Sequence, residues 1–317
     1  MRHPLEQARA KVADNRRMPT PPRRQARHLG AFLVAALLLT PHLASAQTPG
    51  AKHFLWKVQS GSGIVYLAGS IHALSADVYP LDPVYQRAFD ASGTLVEEID
   101  LAEAEDLTAL PMLMAKGMYT DGRTFESVVS KDTAARVTQR LGGMPGLAQL
   151  VGPMKPWVVT LILTALQVQQ AGLDPSLGLD KHFFDMATMA GKTIVGLETA
   201  ASQIDLFDKM PDAAQEEMLR STLDDLNGGD AELKDTLAAW KRGDAKALET
   251  ILLGGFRNLP GAYDALLVQR NRNWIPRIDA CLQAARPCMV VVGAAHLVGP
   301  DGLLTLLARK GYTLEQQ

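Results

Sequence analysis

Met289-Val290-Val291-Val292-Gly293-Ala294-Ala295-His296 is the segment on which the fold turns. Four consecutive apolar residues with no polar alternation describe a strand buried on both faces, the pattern of a parallel sheet covered by helices. A glycine then permits a close turn, and a histidine follows just past the strand. The same grammar recurs far upstream, where Ile64–Ala68 leads into Gly69-Ser70-Ile71-His72. Two further apolar runs end in acid: Gly93–Asp100, with Thr94-Leu95-Val96 before Glu97-Glu98, and Lys192–Leu197 before Glu198.

Working outward, His53–Gln59 and Ile64–Ala68 flank Ser60-Gly61-Ser62-Gly63 and read as a hairpin. Tyr312–Leu314 reads as an edge strand. From Leu101 to about Phe256 the pattern is mostly helical, with turn signals at Gly142-Gly143-Met144-Pro145-Gly146 and Asn227-Gly228-Gly229. Trp157–Val168 is apolar nearly all round and reads as a buried helix, while Asp212–Leu226 and Asp230–Trp240 read as charged, amphipathic helices facing solvent. The expected fold is α/β: a mixed, largely parallel central sheet built from both ends of the chain, carrying a large helical insertion at about 101–256 within one domain, 47–317.

Sites in open α/β sheets form beyond the carboxyl ends of the strands. His72, Glu98, Glu198 and His296 each stand at or just past such an end. Two imidazoles and a carboxylate suit a divalent ion such as zinc, cobalt or manganese, so His72, Glu98 and His296 are the expected metal ligands. Glu98 shares strand parity with Val96; Glu97 points to the other face, and the pair also reads as a solvated strand end. Glu198 reads equally well as a cap for the helix after it. His182, on a helix without a matching partner, reads as structural. In the helix Ala262–Leu282, a stripe of Tyr263, Leu267, Asn271, Trp274 and Ile278 has Arg270 beside it, and a buried Arg or Asn requires partners. Arg270 and Asn271 are therefore expected to hold a site carboxylate or a substrate carbonyl; a structural pair of Arg270 with Asp180 or Asp100 fits the pattern equally.

The chain has 317 residues, 47% hydrophobic and 21% charged, with a formal net charge of −2. Residues 1–46 hold 8 Lys/Arg against 2 Asp/Glu, leaving 24 against 32 in the remainder. An acidic body of this kind lacks the cationic footprint that nucleic acid requires, and disfavours anionic lipid. The basic start has its own reading. Arg23, Arg24, Arg27 and His28 precede an apolar run of 11 residues, Leu29–Leu39, and then Ala44-Ser45-Ala46. This is the pattern of a secretory signal peptide cleaved after Ala46, too short to span a bilayer, with Met18 as an alternative start that gives a more usual length. The mature protein is expected in the periplasm or outside the cell, without stable membrane insertion. Cys281 and Cys288 are the only cysteines, and in an oxidising compartment they are expected to form a disulfide.

The two Gly-x-x-His motifs, Val96-Glu97-Glu98-Ile99-Asp100, Lys155-Pro156-Trp157, Gly178-Leu179-Asp180, Gly196-Leu197-Glu198-Thr199, Arg270-Asn271 and Val292–Gly299 together resemble the TraB/GumN family. The resemblance runs from roughly Phe54 to the C-terminus. That family is similar to the Tiki metalloproteases and, more remotely, to erythromycin-esterase and ChaN-like proteins. The resemblance implies a sheet-centred α/β fold and a metal-dependent hydrolase site at His72, Glu98 and His296, with Arg270 and Asn271 as polar support; Glu198 and Asp180 are lesser supporting candidates. The expected activity is metal-assisted hydrolysis of a peptide or other acyl bond, Glu98 being third ligand or water-orienting base and Arg270 or Asn271 stabilising the oxyanion. Two other classes are compatible with the same residues: a non-enzymatic periplasmic protein that binds a metal or other ligand, and a metal-free esterase using His72 with Glu98.

Overall fold

The computed structural model describes residues 52–105, 109–228, 231–256 and 259–317. The expected leader, 1–46, lies outside the described residues. Alternating or continuous apolar runs become β1 (Leu55–Ser60), β2 (Gly63–Ser70), β3 (Thr94–Ile99), β4 (Thr193–Glu198), β5 (Cys288–Gly293) and β6 (Thr313–Gln316). They form one sheet in the order β4-β3-β5-β2-β1-β6. β1 pairs antiparallel with β2 and β6, while β2, β5, β3 and β4 run parallel to their neighbours. β5, from the end of the chain, lies between β2 and β3, from its beginning. That insertion explains why every residue of β5 is buried.

Register decides what meets at the sheet edge. Ser70 lies opposite Gly293, Glu97 opposite Val291, and Ile99 opposite Glu198. Parallel strands in this register deliver their carboxyl ends side by side.

Helices cover both faces. Leu179–Met189 packs on β3, β4 and β5 through Leu179, Phe183, Phe184 and Ala187, the spacing of one helical stripe. Gln269–Leu282 packs on β2 and β5 and buries Arg270, Asn271, Trp274, Ile278 and Leu282. Successive strand residues face opposite sides. Glu97 feels Asp180 and Asp185 of the first helix, and Glu98 contacts Arg270 of the second, so the two helices lie on opposite faces of the sheet. A disulfide joins Cys281, at the end of the second helix, to Cys288 at the start of β5, with Cα atoms 5.7 Å apart.

The stretch from Leu101 to Gly254 is helical apart from β4, short turns and the residues not described. It builds a core of its own around Phe125, Leu141, Trp157, Leu163, Leu219 and Leu223. The Pro156–Gln170 helix departs from the expectation of apolar burial all round: it buries Trp157, Val158, Val159 and Leu163 but leaves Leu161 exposed. The reason is that its partners, above all the Asp212–Gly228 helix, cover one side only. Among the described residues no helix is long and apolar enough to cross a membrane.

Candidate functional site

The two Gly-x-x-His turns leave neighbouring strands, and each needs its glycine for a different reason. A methyl group at Gly69 would run into the Phe54 ring, and the Gly69 carbonyl accepts the Trp240 indole N–H at 2.7 Å, which pins the first turn. At Gly293 the backbone N–H donates to Glu98 Oε1 at 2.7 Å. A methyl group there would lie 3.1 Å from His72 Nε2, 3.2 Å from Glu98 Oε1 and 3.6 Å from His296 Cδ2. Any side chain at Gly293 would therefore crowd all three residues expected in the site, and the glycine is what lets them approach the strand end. A cavity of about 490 Å³ opens beside it, lined by His72, Glu98, Arg270, Gly293 and His296 and by Thr164, Gln167 and Thr236 of the helical insertion.

The histidines have opposite surroundings. His72 keeps 62% of its side chain accessible, with Nδ1 3.3 Å from Asp180 Oδ1. Asp180 is itself held by the Ser70 hydroxyl, which donates to Oδ1 at 2.6 Å. His296 is 4% exposed. Its Nδ1 lies 2.7 Å from Asn271 Oδ1, while Asn271 Nδ2 donates to the carbonyls of His296 and Asp301 at 3.2 and 2.9 Å. Because the amide nitrogen is committed to carbonyls, Oδ1 must accept, so Nδ1 of His296 carries the proton. Nε2 then accepts from Arg270 Nη1 at 3.0 Å.

Arg270 ties the rest together. Its Nε donates to both oxygens of Glu198 at 3.0 and 3.1 Å; its Nη2 lies 2.6 Å from Glu98 Oε2 and 3.0 Å from Glu198 Oε2. Nη1 also donates to the Leu266 carbonyl at 3.1 Å, within the π-helical turn Asp264–Val268. Trp274 Nε1 donates to Glu198 Oε1 at 3.0 Å, and Gln203 Nε2 donates to Glu98 and Glu198 at 3.2 and 3.4 Å.

These contacts set the charges. Burial works against the charge of Glu98, yet the His296 ring, the Arg270 guanidinium, His72 and the Gly293 N–H hold its carboxyl well below the usual range. Burial, with Arg270 beside it, pushes His296 down to about 3 and keeps that ring neutral, so the guanidinium is the positive charge that His296 does not supply. Desolvation opposes the charge on His72, but Asp180, with Glu98 behind it, overrides that and raises its pKa to about 9. Solvent screens part of this field at so accessible a ring. Glu97 is 2% exposed and neither carboxyl oxygen has a hydrogen-bond partner among the described residues. Burial, then Asp180, Asp100, Glu98 and Asp185, raise its pKa to about 9.

His72, Glu98 and His296 therefore meet, although their donor atoms are not equally open. Both ring nitrogens of His296 are engaged, Nδ1 by Asn271 and Nε2 by the guanidinium, and Nε2 also lies 3.8 Å from Glu98 Oε1. His72 Nε2 and Glu98 Oε1 both approach Gly293 at the wall of the cavity, and His72 Nε2 has no hydrogen-bond partner among the described residues, so these two are the more open of the three expected ligands. Among the described residues no three His, Cys, Asp or Glu groups are set at ion-holding distances. Both amide N–H groups of Asn271 are taken by carbonyls, and Arg270 is bound to Glu98, Glu198, His296 and the Leu266 carbonyl, so the two orient His296 and Glu98. Arg270 pairs with Glu98 and Glu198 and not with Asp180 or Asp100, because those two lie elsewhere: Asp180 serves His72, and Asp100 accepts from the N–H of Ala102. Glu198 does not cap the next helix; Thr199 does, accepting from Ser202 N at 3.1 Å, which frees Glu198 for Arg270. Ser70, Gln203 and the burial of Glu97 escaped the sequence reading. Only Ser70, two residues before His72 and so of the same strand parity, carried a local signal.

An α/β protein with an ionisable cluster at the carboxyl edge of a parallel sheet is the class that fold and site define. The model of the TraB/PrgY/gumN family matches residues 54–316, most of the chain, and the protein belongs to that family. No curated protein and no solved structure matches it.

Proposed function

We propose that this chain is an exported, metal-dependent hydrolase of peptide or other acyl bonds, acting at the position between His72 and Glu98. The observation that carries the reading is the convergence of His72 Nε2, Glu98 Oε1 and the His296 ring on Gly293, where the two Gly-x-x-His turns meet, with a cavity of about 490 Å³ lined by all of them. Glu98, kept ionised, accepts a hydrogen bond from the attacking water, orients it and takes its proton as the water adds to the acyl carbon. His72, held by Asp180 and charged near neutral pH, gives its proton to the leaving group as the acyl bond breaks, and the proton taken by Glu98 then restores the charge of His72. Arg270 keeps Glu98 in place and in its ionised form, and Asn271 fixes the ring of His296. A divalent ion, when bound, would take His72 and Glu98 as its open protein donors and would polarise the scissile carbonyl and acidify a bound water. Export rests on the basic, apolar and Ala-Ser-Ala pattern of residues 1–46.

One observation favours a second, metal-free reading: the Arg270 guanidinium already neutralises Glu98 and Glu198 and caps His296. A peptide-library and ester screen of the mature protein, purified without chelator and analysed for bound metal, decides between the two. Cleavage lost on chelation and restored by zinc, cobalt or manganese supports the first. Cleavage that survives chelation supports the second. Bound metal with no turnover on any substrate would assign the chain to the binding class and refute hydrolysis. In either hydrolytic reading, His72→Ala and Glu98→Gln abolish cleavage.

A further inference from the structure

Gln203 reaches the site from near the start of the Ala200–Asp208 helix, yet only half of its amide is used there. Nε2 donates to Glu98 Oε2 at 3.2 Å and to Glu198 Oε2 at 3.4 Å. Both acceptors are carboxylates ion-paired with Arg270 and have no hydrogen to give, so the nitrogen faces them and Oε1 is turned away. Oε1 accepts nothing among the described residues. Nor is it sealed off. The fully buried, unpartnered side-chain atoms among the described residues are the two Glu97 oxygens and the Trp157 indole nitrogen, so Oε1 of the half-buried Gln203 keeps accessible surface.

Gln203 lines a second cavity, of about 240 Å³, together with His72, Glu98, Ile99, Leu101 and Val291. His72 and Glu98 also line the larger cavity under the helical insertion. The two groups that act on the scissile bond are thus walls of both spaces, one for each side of that bond. The smaller space combines apolar surface with a neutral acceptor whose orientation is fixed, which suits an N–H borne on an aliphatic chain. We infer that Gln203 sets the substrate class: its Oε1 accepts the N–H of the leaving nitrogen, and the chain on that nitrogen lies against Ile99, Leu101 and Val291. The inference deepens the hydrolase reading and rests on it. With its N–H held by Oε1, the nitrogen turns its lone pair to His72, takes the proton from there as the C–N bond breaks, and departs as an amine carrying both hydrogens. Secondary amides fit this seat. Esters, and amides of a proline nitrogen, bring no N–H and leave the acceptor unpaired, so they are disfavoured.

N-butylmethanesulfonamide and methyl pentyl sulfone have the same shape, differ by N–H against CH₂, and resist hydrolysis, so they test the seat apart from the reaction. Each is titrated into the ¹⁵N-labelled mature chain and followed by ¹H–¹⁵N correlation spectra. The sulfonamide should bind about tenfold more tightly than the sulfone and should shift the Gln203 side-chain amide signal. Gln203→Met keeps the length of the side chain and removes the acceptor, and should bring the two probes to equal affinity. A Gln203 that merely positions Glu98 would, when replaced, weaken both probes alike and leave their ratio unchanged. Equal affinities in the wild type, a preference that survives Gln203→Met, or no binding of either probe overturns the inference. The wild-type ratio and the Gln203 signal decide the matter even if the variant fails to fold. Failure here leaves the cleavage screen untouched, and an absence of cleavage leaves this binding measurable.

Discussion

Replacing Arg270 by methionine removes the charge on which the site depends while keeping an unbranched side chain of similar reach. The guanidinium faces Glu98 and Glu198, whose side chains are each only 14% accessible. Removing one partner of a buried ion pair costs about 3–5 kcal/mol, chiefly because the other charge is left uncompensated. Here the lower end applies. Glu98 keeps the Gly293 N–H at 2.7 Å, and Glu198 keeps the Trp274 N–H at 3.0 Å. The expected loss is about 3 kcal/mol in urea unfolding at pH 7, followed by circular dichroism. Glu198→Gln alone should destabilise by about 1–2 kcal/mol, since it weakens charge-assisted bonds. In the Arg270→Met background the same change removes a stranded charge and should recover about 1–2 kcal/mol, a coupling of roughly 2–4 kcal/mol. The gap between wild type and Arg270→Met should narrow at pH 5, because carboxylates relieved of the guanidinium take up protons more readily. A loss under about 1 kcal/mol, or an effect of Glu198→Gln that is the same in both backgrounds, would refute the buried-network reasoning.

Three further outcomes are expected. Asn271→Ala strips the acceptor from His296 Nδ1 and the donor from two carbonyls; thermal unfolding should show a loss of about 1–3 kcal/mol, and cleavage should fall, whereas wild-type stability would contradict the orienting role. Glu97 has a folded-state pKa of about 9 against an ordinary 4.5. Its contribution to stability is therefore fully present below pH 4.5 and is lost as pH rises through 9. Urea midpoints taken from pH 5 to pH 8 should fall in the wild type and stay flatter in Glu97→Gln, and parallel curves would sink the assignment. Replacing both Cys281 and Cys288 by serine opens a short loop between the second helix and β5 and should cost about 2–3 kcal/mol, read as the difference between oxidised wild type and variant in urea.

All six strands were legible because their signals are local: apolar runs bounded by turn residues, with ends that moved by no more than about three residues. That β5 is an inner strand followed from composition, since a run as apolar as Met289–Val292 needs cover on both sides, but that its neighbours are β2 and β3 did not. Parity also separated Glu98 from Glu97 correctly. What parity did not convey was that the Glu97 face is covered too; that depends on where the Leu179–Met189 helix docks, and docking is a tertiary fact. The stripe through Leu267, Asn271, Trp274 and Ile278 announced buried polar groups, yet their partners were beyond reach. Whether Arg270 meets an aspartate or two glutamates depends on the π-helical turn at Asp264–Val268, which offers the Leu266 carbonyl to the guanidinium. No residue in that turn advertises it.

The pair of Gly-x-x-His turns shows how one local motif yields two different groups. Both follow inner strands, both place a histidine three residues past a glycine, and the strands are neighbours in register. The environments diverge because β2 is followed by the chain's path back over the Leu179–Met189 side, while β5 ends beneath the Gln269–Leu282 helix. His72 receives a carboxylate, Asp180, and open space; it becomes a basic, accessible imidazole. His296 receives an amide, a guanidinium and the Trp274 ring at 4.4 Å; it becomes a neutral, buried one. A symmetric motif with symmetric surroundings would have set two like charges side by side around Glu98. Splitting the environments leaves one imidazole accessible and raised in pKa beside Asp180, and the other buried and neutral with its Nε2 3.8 Å from Glu98 Oε1, so the single guanidinium and not a second imidazolium holds Glu98 ionised.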